Sequence, residues 1–321
     1  MRMRKKLETS LRTIASEAGV AVSTVSRVLN NHSGISDATR RRVMELLRKY
    51  DFFYRKDTRD ILVILPNPDD ALGWYGWRLL DALRREAQRL EFRIELVSYD
   101  DLQAISDRNF LGAISIDYRN NVSSRWRRIS ALPLVCLNDF GNQLANVPTI
   151  YSDERLGMDQ AVTHLIGYNH RRIGLLLDGT GAYSAKMREQ GYLESMARHH
   201  LSEEALIAYQ VSEPFGPLDI LIRGGATAII APMESGSVEV LHSIRSRGIR
   251  IPQDLSLITW ELRHVSEYQE PPLTTLEQDY GKMALLAFET LEKMANGLAV
   301  PQHHEIGYRM FRRASVSLPS R

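Results

Sequence analysis

Between Ile61 and Thr275, short apolar runs alternate with longer amphipathic stretches, and this alternation leaves few architectures open. Ile61–Leu65, Ile94–Tyr99, Leu111–Ile116, Leu134–Leu137, Ile173–Leu177, Ala226–Ala231 and Leu255–Thr259 have the length of strands. Leu79–Leu90, Met158–Ile166 and Val238–Arg247 read as the helices among them. Such repetition predicts right-handed βαβ units and a mainly parallel, doubly wound sheet. The strands are too many for one ordinary sheet, so two Rossmann-like lobes are expected. Ligands would bind beyond the carboxyl ends of their strands.

Charge separates the first sixty residues from this body. Residues 1–60 hold 14 Lys or Arg against 7 Asp or Glu, whereas the remainder holds 27 against 32, within a whole-chain net charge of +2. A basic module joined to a mildly acidic body is the footprint of a polyanion-binding head on a separate sensor. No apolar run is long enough to span a membrane, and the basic Met1–Ser10 segment is not followed by the apolar stretch that secretion requires. The single cysteine, Cys136, has no intramolecular partner and fits a reducing cytoplasm.

The basic head reads as three helices. Ser10 caps a helix whose Leu11, Ile14, Ala15 and Ala18 share one face, and Gly19 ends it. A second helix runs from about Val22 to Asn30 with Val25, Val28 and Leu29 inward and Ser23, Thr24, Ser26 and Arg27 outward. After a loop, Ser36 caps a third helix with Val43, Met44, Leu47 and Tyr50 as its buried stripe. Two short helices joined by a glycine turn, with a third across them, describe a helix-turn-helix. Hydroxyls suit phosphate oxygens, and an arginine fork suits guanine O6 and N7; an ordinary three-helix bundle with a solvated polar face is the alternative.

The run Ile14-Ala15-Ser16-Glu17-Ala18-Gly19-Val20-Ala21-Val22-Ser23-Thr24-Val25-Ser26-Arg27-Val28-Leu29-Asn30 resembles, without a gap, the DNA-binding signature of LacI/GalR-type repressors. The resemblance continues through Ala161–Gly174, Arg188–Tyr192, Arg247–Ser256, Pro271–Thr275 and Arg313–Ser315. It implies an α/β chain with an N-terminal three-helix helix-turn-helix domain (1–54), a short linker (55–60) and a periplasmic-binding-protein-like sensor (61–321). Lobe one would comprise about 61–151 and 276–321, and lobe two about 152–275. The implied function is a sequence-specific DNA-binding transcriptional regulator, a repressor of carbohydrate-utilisation genes that responds to a small sugar. Its partners would be a pseudo-palindromic operator and a second copy of the chain, with neither membrane nor cofactor. The region around Arg188 and the shortened linker lean toward galactoside-type repressors, those similar to the evolved β-galactosidase repressor.

Carried onto this sequence, the family pattern puts Val22, Ser23 and Arg27 where bases are read, and Thr24, Ser26 and Asn30 where phosphates are held. Ala21 stands where the family usually has serine, which removes a helix cap. The linker Arg55-Lys56-Asp57-Thr58-Arg59-Asp60 has no apolar wedge for the minor groove, so a plain linker is expected, with Arg55, Lys56 and Arg59 either near phosphates or serving as solvated spacer charges.

In the body, Arg188 matches an arginine that grips sugar hydroxyls, a task for which its five-donor fork suits vicinal diols; a surface ion pair is the alternative. Glu261 takes the place of a family aspartate, and Trp260 beside it can stack on a sugar face or belong to the core. Asn138, Asn67 and Asp69 follow strands. Trp74 and Trp77 can form an apolar platform, although helix-core packing is the better single expectation. Pro232-Met233-Glu234 replaces the family's asparagine–aspartate pair, leaving Glu234 as the substitute carboxylate.

Enzyme readings find little support. Gly179-Thr180-Gly181 is a lone G-x-G, and His199-His200 and His303-His304 lack metal-ligand spacing. A nucleophile elbow, a P-loop and a zinc signature are absent, and Cys136 reads as core. A sugar-binding protein or sugar-modifying enzyme on the same doubly wound body is the alternative function, which the helix-turn-helix disfavours.

Overall fold

The computed structural model describes residues 11–29, 34–50, 59–67, 72–105, 110–117, 121–138, 147–179, 183–210, 216–233 and 237–320. The expected roles of Asn30, Arg55, Lys56, Asp69 and Glu234 fall outside these residues, as does most of the linker.

The head consists of α1 (residues 11–18), α2 (Val22–Leu29) and α3 (Asp37–Lys49). Ile14, Ala15, Ala18, Val25, Val28, Val43, Met44 and Leu47 form its buried core. Gly19 takes φ +63°, a left-handed turn that lets Val20 donate to the Ala15 carbonyl and close α1. The side chain of Ser36 accepts from Thr39 N at 3.3 Å, as its capping role requires. Tyr50 departs from expectation. It is exposed, because it follows the last turn of α3 and its hydroxyl reaches Glu17 on α1, where Lys49 also pairs.

The body continues through β1 (Asp60–Leu65), α4 (Gly73–Arg89), β2 (Arg93–Ser98), β3 (Gly112–Ser115), α5 (Val122–Ile129), β4 (Leu134–Leu137) and β5 (Thr149–Ser152). There follow α6 (Glu154–Gly167), β6 (Ile173–Asp178), α7 (Tyr183–Arg198), β7 (Ala205–Gln210), α8 (Gly216–Arg223), β8 (Ala228–Ala231), α9 (Glu239–Ser246), β9 (Ser256–Trp260) and β10 (Thr274–Gln278). The chain ends with α10 (Tyr280–Ala295), β11 (His303–Ile306) and β12 (Tyr308–Phe311).

These elements form two six-stranded sheets, ordered β11-β5-β4-β3-β1-β2 and β12-β10-β9-β8-β6-β7. Read from the other edge, each begins 2-1-3-4-5 and adds one late strand, the doubly wound order in which ligands meet the switch point between strands 1 and 3. β1 to β5 pair in parallel, as do β6 to β10, while β12 runs antiparallel to β10.

The chain divides into one unit of residues 1–151 and 280–305 and another of 152–279 and 306–321. Of the 276–321 stretch expected in lobe one, 280–305 lies in the first unit, whereas 276–279 and 306–321 belong to the second. The closing strand joins the second sheet, because Tyr308–Phe311 pairs with Thr275–Gln278 and Ser315 donates to the Leu257 carbonyl at 2.6 Å.

In the second sheet the strict period of two sorts side chains onto two faces. Ile173, Leu175, Leu177, Ala228, Ile230, Ile258, Trp260 and Leu276 pack with α6 and α7, whereas Leu176, Ile229, Ala231 and Leu257 pack with α8 and α9. Both faces are apolar, as a covered parallel sheet requires.

In the first unit, Cys136 lies buried among Leu134, Ala113 and Trp126. Trp74 and Trp77 are not core residues: they are 58% and 62% exposed. Gly76, Leu79, Leu83 and Ala87 form the buried stripe of α4 instead, and its period turns both tryptophans outward.

Candidate nucleic-acid interface and ligand site

In the head, burial of Val25 and Val28 fixes the rotation of α2 and thereby chooses what it presents. Val22, Ser23 and Arg27 are exposed, while Thr24 and Ser26 are half-buried at the margins. An apolar side chain, a hydroxyl and a guanidinium on one short helix are chemically suited to a thymine methyl, a base edge or phosphate, and guanine. At the start of α2, Thr24 and Val25 donate to the Ala21 carbonyl. Ala21 itself offers no side-chain acceptor, which bears on the stability of this helix. Arg59, expected near phosphates, lies 4.9 Å from the Phe92 ring centroid and 3.5 Å from Glu292, within the first unit.

A charged cluster lies at the carboxyl edge of the second unit's sheet, on its α6–α7 face. Arg188, from α7, donates through Nε to Glu154 Oε2 at 2.8 Å and through Nη2 to Oε1 at 3.2 Å, the bidentate fork of a strong pair. Its Nη1 donates to the Pro232 carbonyl at 3.1 Å, just past β8. The guanidinium stands 5.1 Å over the ring of Trp260, the last residue of β9. Tyr308 donates to Glu154 Oε2 at 2.7 Å and accepts from Gln278 Nε2 at 3.1 Å, and its ring is 5.0 Å from that of Trp260.

The pair is withdrawn from water, with side-chain exposures of 11% for Arg188 and 2% for Glu154. Burial works against the Arg188 charge, but Glu154, Tyr308 and Asp178 more than reverse that effect and raise its proton affinity. Burial and then Glu154 push the Tyr308 hydroxyl well above its ordinary value, so it remains a donor. Two buried polar atoms beside them, Trp260 Nε1 and Gln278 Oε1, make no hydrogen bond among the described residues. A buried donor and a buried acceptor left unmade are costly unless something else meets them.

Arg188 and Trp260 are therefore brought together as the sequence suggested. Glu261 is engaged elsewhere: Arg313 Nη1 and Nη2 donate to it at 2.8 and 3.1 Å, and the Thr275 hydroxyl also donates to it. This buried pair ties the closing segment to β9 and β10. Asn138 and Asn67 lie in the first unit, after β4 and β1. Asn138 is buried with φ +52°, a conformation that asparagine tolerates best among non-glycine residues, and Asn67 accepts from Asp100 N at 3.1 Å.

Sequence reasoning missed Glu154, Tyr308 and Gln278. An acidic residue in the first turn of a helix ordinarily reads as a complement to the helix dipole, and Tyr308 lies 154 residues from the carboxylate it serves. The glycine immediately before Tyr192 in the Arg188–Tyr192 run is easier to explain after the fact: Gly191 admits the α6 backbone, and Tyr192 is buried with its hydroxyl donating to the Ile173 carbonyl at 2.6 Å.

Among the described residues, no three His, Cys, Asp or Glu side chains converge as a metal site, and no helix is long and apolar enough to cross a membrane.

Residues 10–53 match the model of bacterial regulatory proteins of the lacI family, and residues 162–316 match a periplasmic binding protein-like domain. The HTH-type transcriptional regulator DegA of Bacillus subtilis is 25% identical over 313 residues, covering 91% of this chain and 93% of the relative. The HTH-type transcriptional repressor CytR of Escherichia coli is 25% identical over 318 residues, covering 88% and 90%.

Among solved structures, the transcriptional regulator CelR in complex with cellobiose superposes with a TM-score of 0.68 at 20% identity, covering 95% of this chain and 99% of the other. The lac repressor dimer bound to operator and an anti-inducer gives 0.66 at 19% identity, covering 95% and 98%. These likenesses concern the fold. The sequence matches go further than the fold: the chain carries a lacI-family helix-turn-helix domain and a periplasmic binding protein-like domain, and over nearly its whole length it is similar to HTH-type transcriptional regulators.

Proposed function

We propose that this regulator is a repressor of carbohydrate-utilisation genes. It binds a pseudo-palindromic operator as a homodimer in the cytoplasm, and a small sugar sets its affinity for DNA. The domain plan is a head of residues 1–54, a linker of 55–60 and a sensor from 61 onward. The observation that carries the sensor reading is Arg188, held by three hydrogen bonds at the carboxyl edge of a doubly wound sheet beside two unmet polar atoms. The exposed Val22, Ser23 and Arg27 support base reading. A single head reads few base pairs, and a two-fold dimer doubles the site. Likeness to a regulator solved with cellobiose and another solved on operator supports both partners.

In this reading the sensor is a binding protein and not an enzyme, and the groups around Arg188 position and desolvate a ligand. In this mechanism the sugar favours one of two body conformations. Moving that equilibrium from 1:99 to 99:1 takes about 5.5 kcal/mol of differential binding.

The test is fluorescence anisotropy on the upstream intergenic DNA, with and without a panel of galactosides and other sugars. Tight, salt-sensitive binding weakened by one sugar is expected. No preference over random DNA refutes the repressor reading, and specific binding indifferent to every sugar refutes the sensor reading.

A further inference from the structure

We propose that Glu154 makes this ligand site selective for uncharged polyols, by neutralising Arg188 before any ligand arrives and so excluding carboxylated or phosphorylated sugars. The inference rests on reading the Arg188 cluster as the effector site.

A buried arginine at the end of a parallel sheet is by itself an anion receptor, because its planar fork matches a carboxylate or phosphate. Here that edge of the fork is already filled. Glu154 takes Nε and Nη2, and the Pro232 carbonyl takes one Nη1 hydrogen. Of five N–H donors, two are left over by the described residues, one on each terminal nitrogen. They can still donate to a hydroxyl oxygen, but the charge that would attract an anion is matched by an opposite charge in direct contact. An incoming anion would meet the Glu154 repulsion as well as the Arg188 attraction, in a setting with little water to screen either.

Tyr308 and Gln278 fix the arrangement. The Tyr308 hydroxyl donates to Glu154 and is itself held by Gln278, so the carboxylate has little freedom to turn away. The two unmet atoms point to the same ligand chemistry. Trp260 Nε1 offers a donor and Gln278 Oε1 seeks one. A hydroxyl group both donates and accepts, and neighbouring sugar hydroxyls can answer both needs. A carboxylate or a phosphomonoester dianion only accepts, and would leave Gln278 Oε1 unmet.

The test uses the full chain at constant ionic strength, so that screening is the same in every sample. Thermal shift and calorimetry compare galactose with galacturonate, glucose with glucose 6-phosphate, and inorganic phosphate as the minimal anion. The proteins are wild type, Glu154→Gln and the neutral pair Glu154→Gln/Arg188→Gln. Wild type is expected to ignore phosphate and both acidic sugars. Glu154→Gln should gain saturable anion binding at least about tenfold tighter than wild type, and the neutral pair should lose that gain.

Wild type that binds an acidic sugar as tightly as its neutral counterpart overturns the proposal. So does a folded Glu154→Gln protein with no gain in anion affinity. Should Glu154→Gln fold poorly because Arg188 is left uncompensated, phosphate must raise its melting temperature more than that of wild type, and failure to do so counts equally against the idea. If Glu154→Gln gains Arg188-dependent anion binding while wild type binds none of the neutral sugars, Glu154 keeps its role and the sugar reading of the site falls.

Discussion

Replacing Gly191 by alanine sets helix propensity against sterics with opposite signs. Gly191 lies inside α7, where alanine is ordinarily favoured over glycine by about 1 kcal/mol. A Cβ built there, however, stands 2.6 Å from the Cα of Arg155 on α6, 3.0 Å from its carbonyl oxygen and 3.2 Å from its carbonyl carbon. These are backbone atoms and cannot rotate aside. The two helices must part by about 1 Å, and such overpacking costs about 1–3 kcal/mol. Since no side chain can yield, the upper end applies: about 3 kcal/mol of strain less about 1 of propensity leaves a net loss near 2.

For a unit of roughly 150 residues, about 4 °C per kcal/mol gives a fall in Tm near 8 °C. Scanning calorimetry and urea titration read it directly. Gly167→Ala is the control, because its Cβ meets nothing within 4 Å and it closes the neighbouring α6; its Tm should hold or rise slightly. The displacement should also weaken ligand binding, since α6 carries Glu154 and α7 carries Arg188. A Gly191→Ala protein as stable as wild type refutes the close approach of these helices and, with it, the geometry assigned to the pair.

Other substitutions report on other parts of the chain. Arg27→Ala should cost about 1–3 kcal/mol on the specific operator and little on random DNA; equal losses in anisotropy titrations on both exclude a base-reading role. Ala21→Ser should supply the missing cap of α2 and stabilise the head by about 0.5–2 kcal/mol, seen as a higher urea midpoint; an unchanged midpoint means the α2 terminus is satisfied otherwise. Removing Arg313 strands the buried Glu261 carboxylate, and Arg313→Ala should destabilise by about 3–5 kcal/mol, a loss that a denaturation midpoint within error of wild type would disprove.

His170 should confer a pH dependence. It is buried and bridges Thr227, Ser256 and the Ser317 carbonyl, and burial, partly offset by that carbonyl, lowers its proton affinity. As pH falls, the unfolded chain protonates first. Its contribution is therefore complete above about 6.5 and is lost as pH drops toward the folded-state value. His164 and His304 are shifted in the same sense, so the quantity to measure is the difference between wild type and His170→Asn. Parallel stability curves from pH 7 to 5 would rule the contribution out.

The doubly wound body was legible because both of its periodicities are local. Leu175, Leu176 and Leu177 are consecutive, and their sorting onto two faces follows from the pleat alone. The head was legible for the same reason, down to the turn at Gly19. What the chain's order concealed was set by contacts far apart in sequence. Tyr50 follows apolar residues at helical spacing, but it lies past the last turn of α3 and turns to Glu17. Trp74 and Trp77 are large enough to suggest core, yet α4 already has its stripe in Leu79, Leu83 and Ala87. Glu261 was given a ligand to hold because nothing near it in sequence announces Arg313. Arg188 was found, but its partner Glu154 was not, since an acidic residue at a helix start has a sufficient explanation without it.

The late strands have a consequence for how the protein is made. Each sheet receives one strand from the C-terminal stretch, β11 for the first and β12 for the second. Neither unit is therefore a continuous stretch of chain. During synthesis the first unit lacks an edge until residue 303 and beyond has emerged, by which time all but the last strand of the second sheet has been available to fold. The buried residues of the head, by contrast, all lie between Ile14 and Leu47, so that domain has its core within the first moments of translation. A message broken between that point and residue 303 releases a head with its core complete on a body whose two sheets each lack an edge strand.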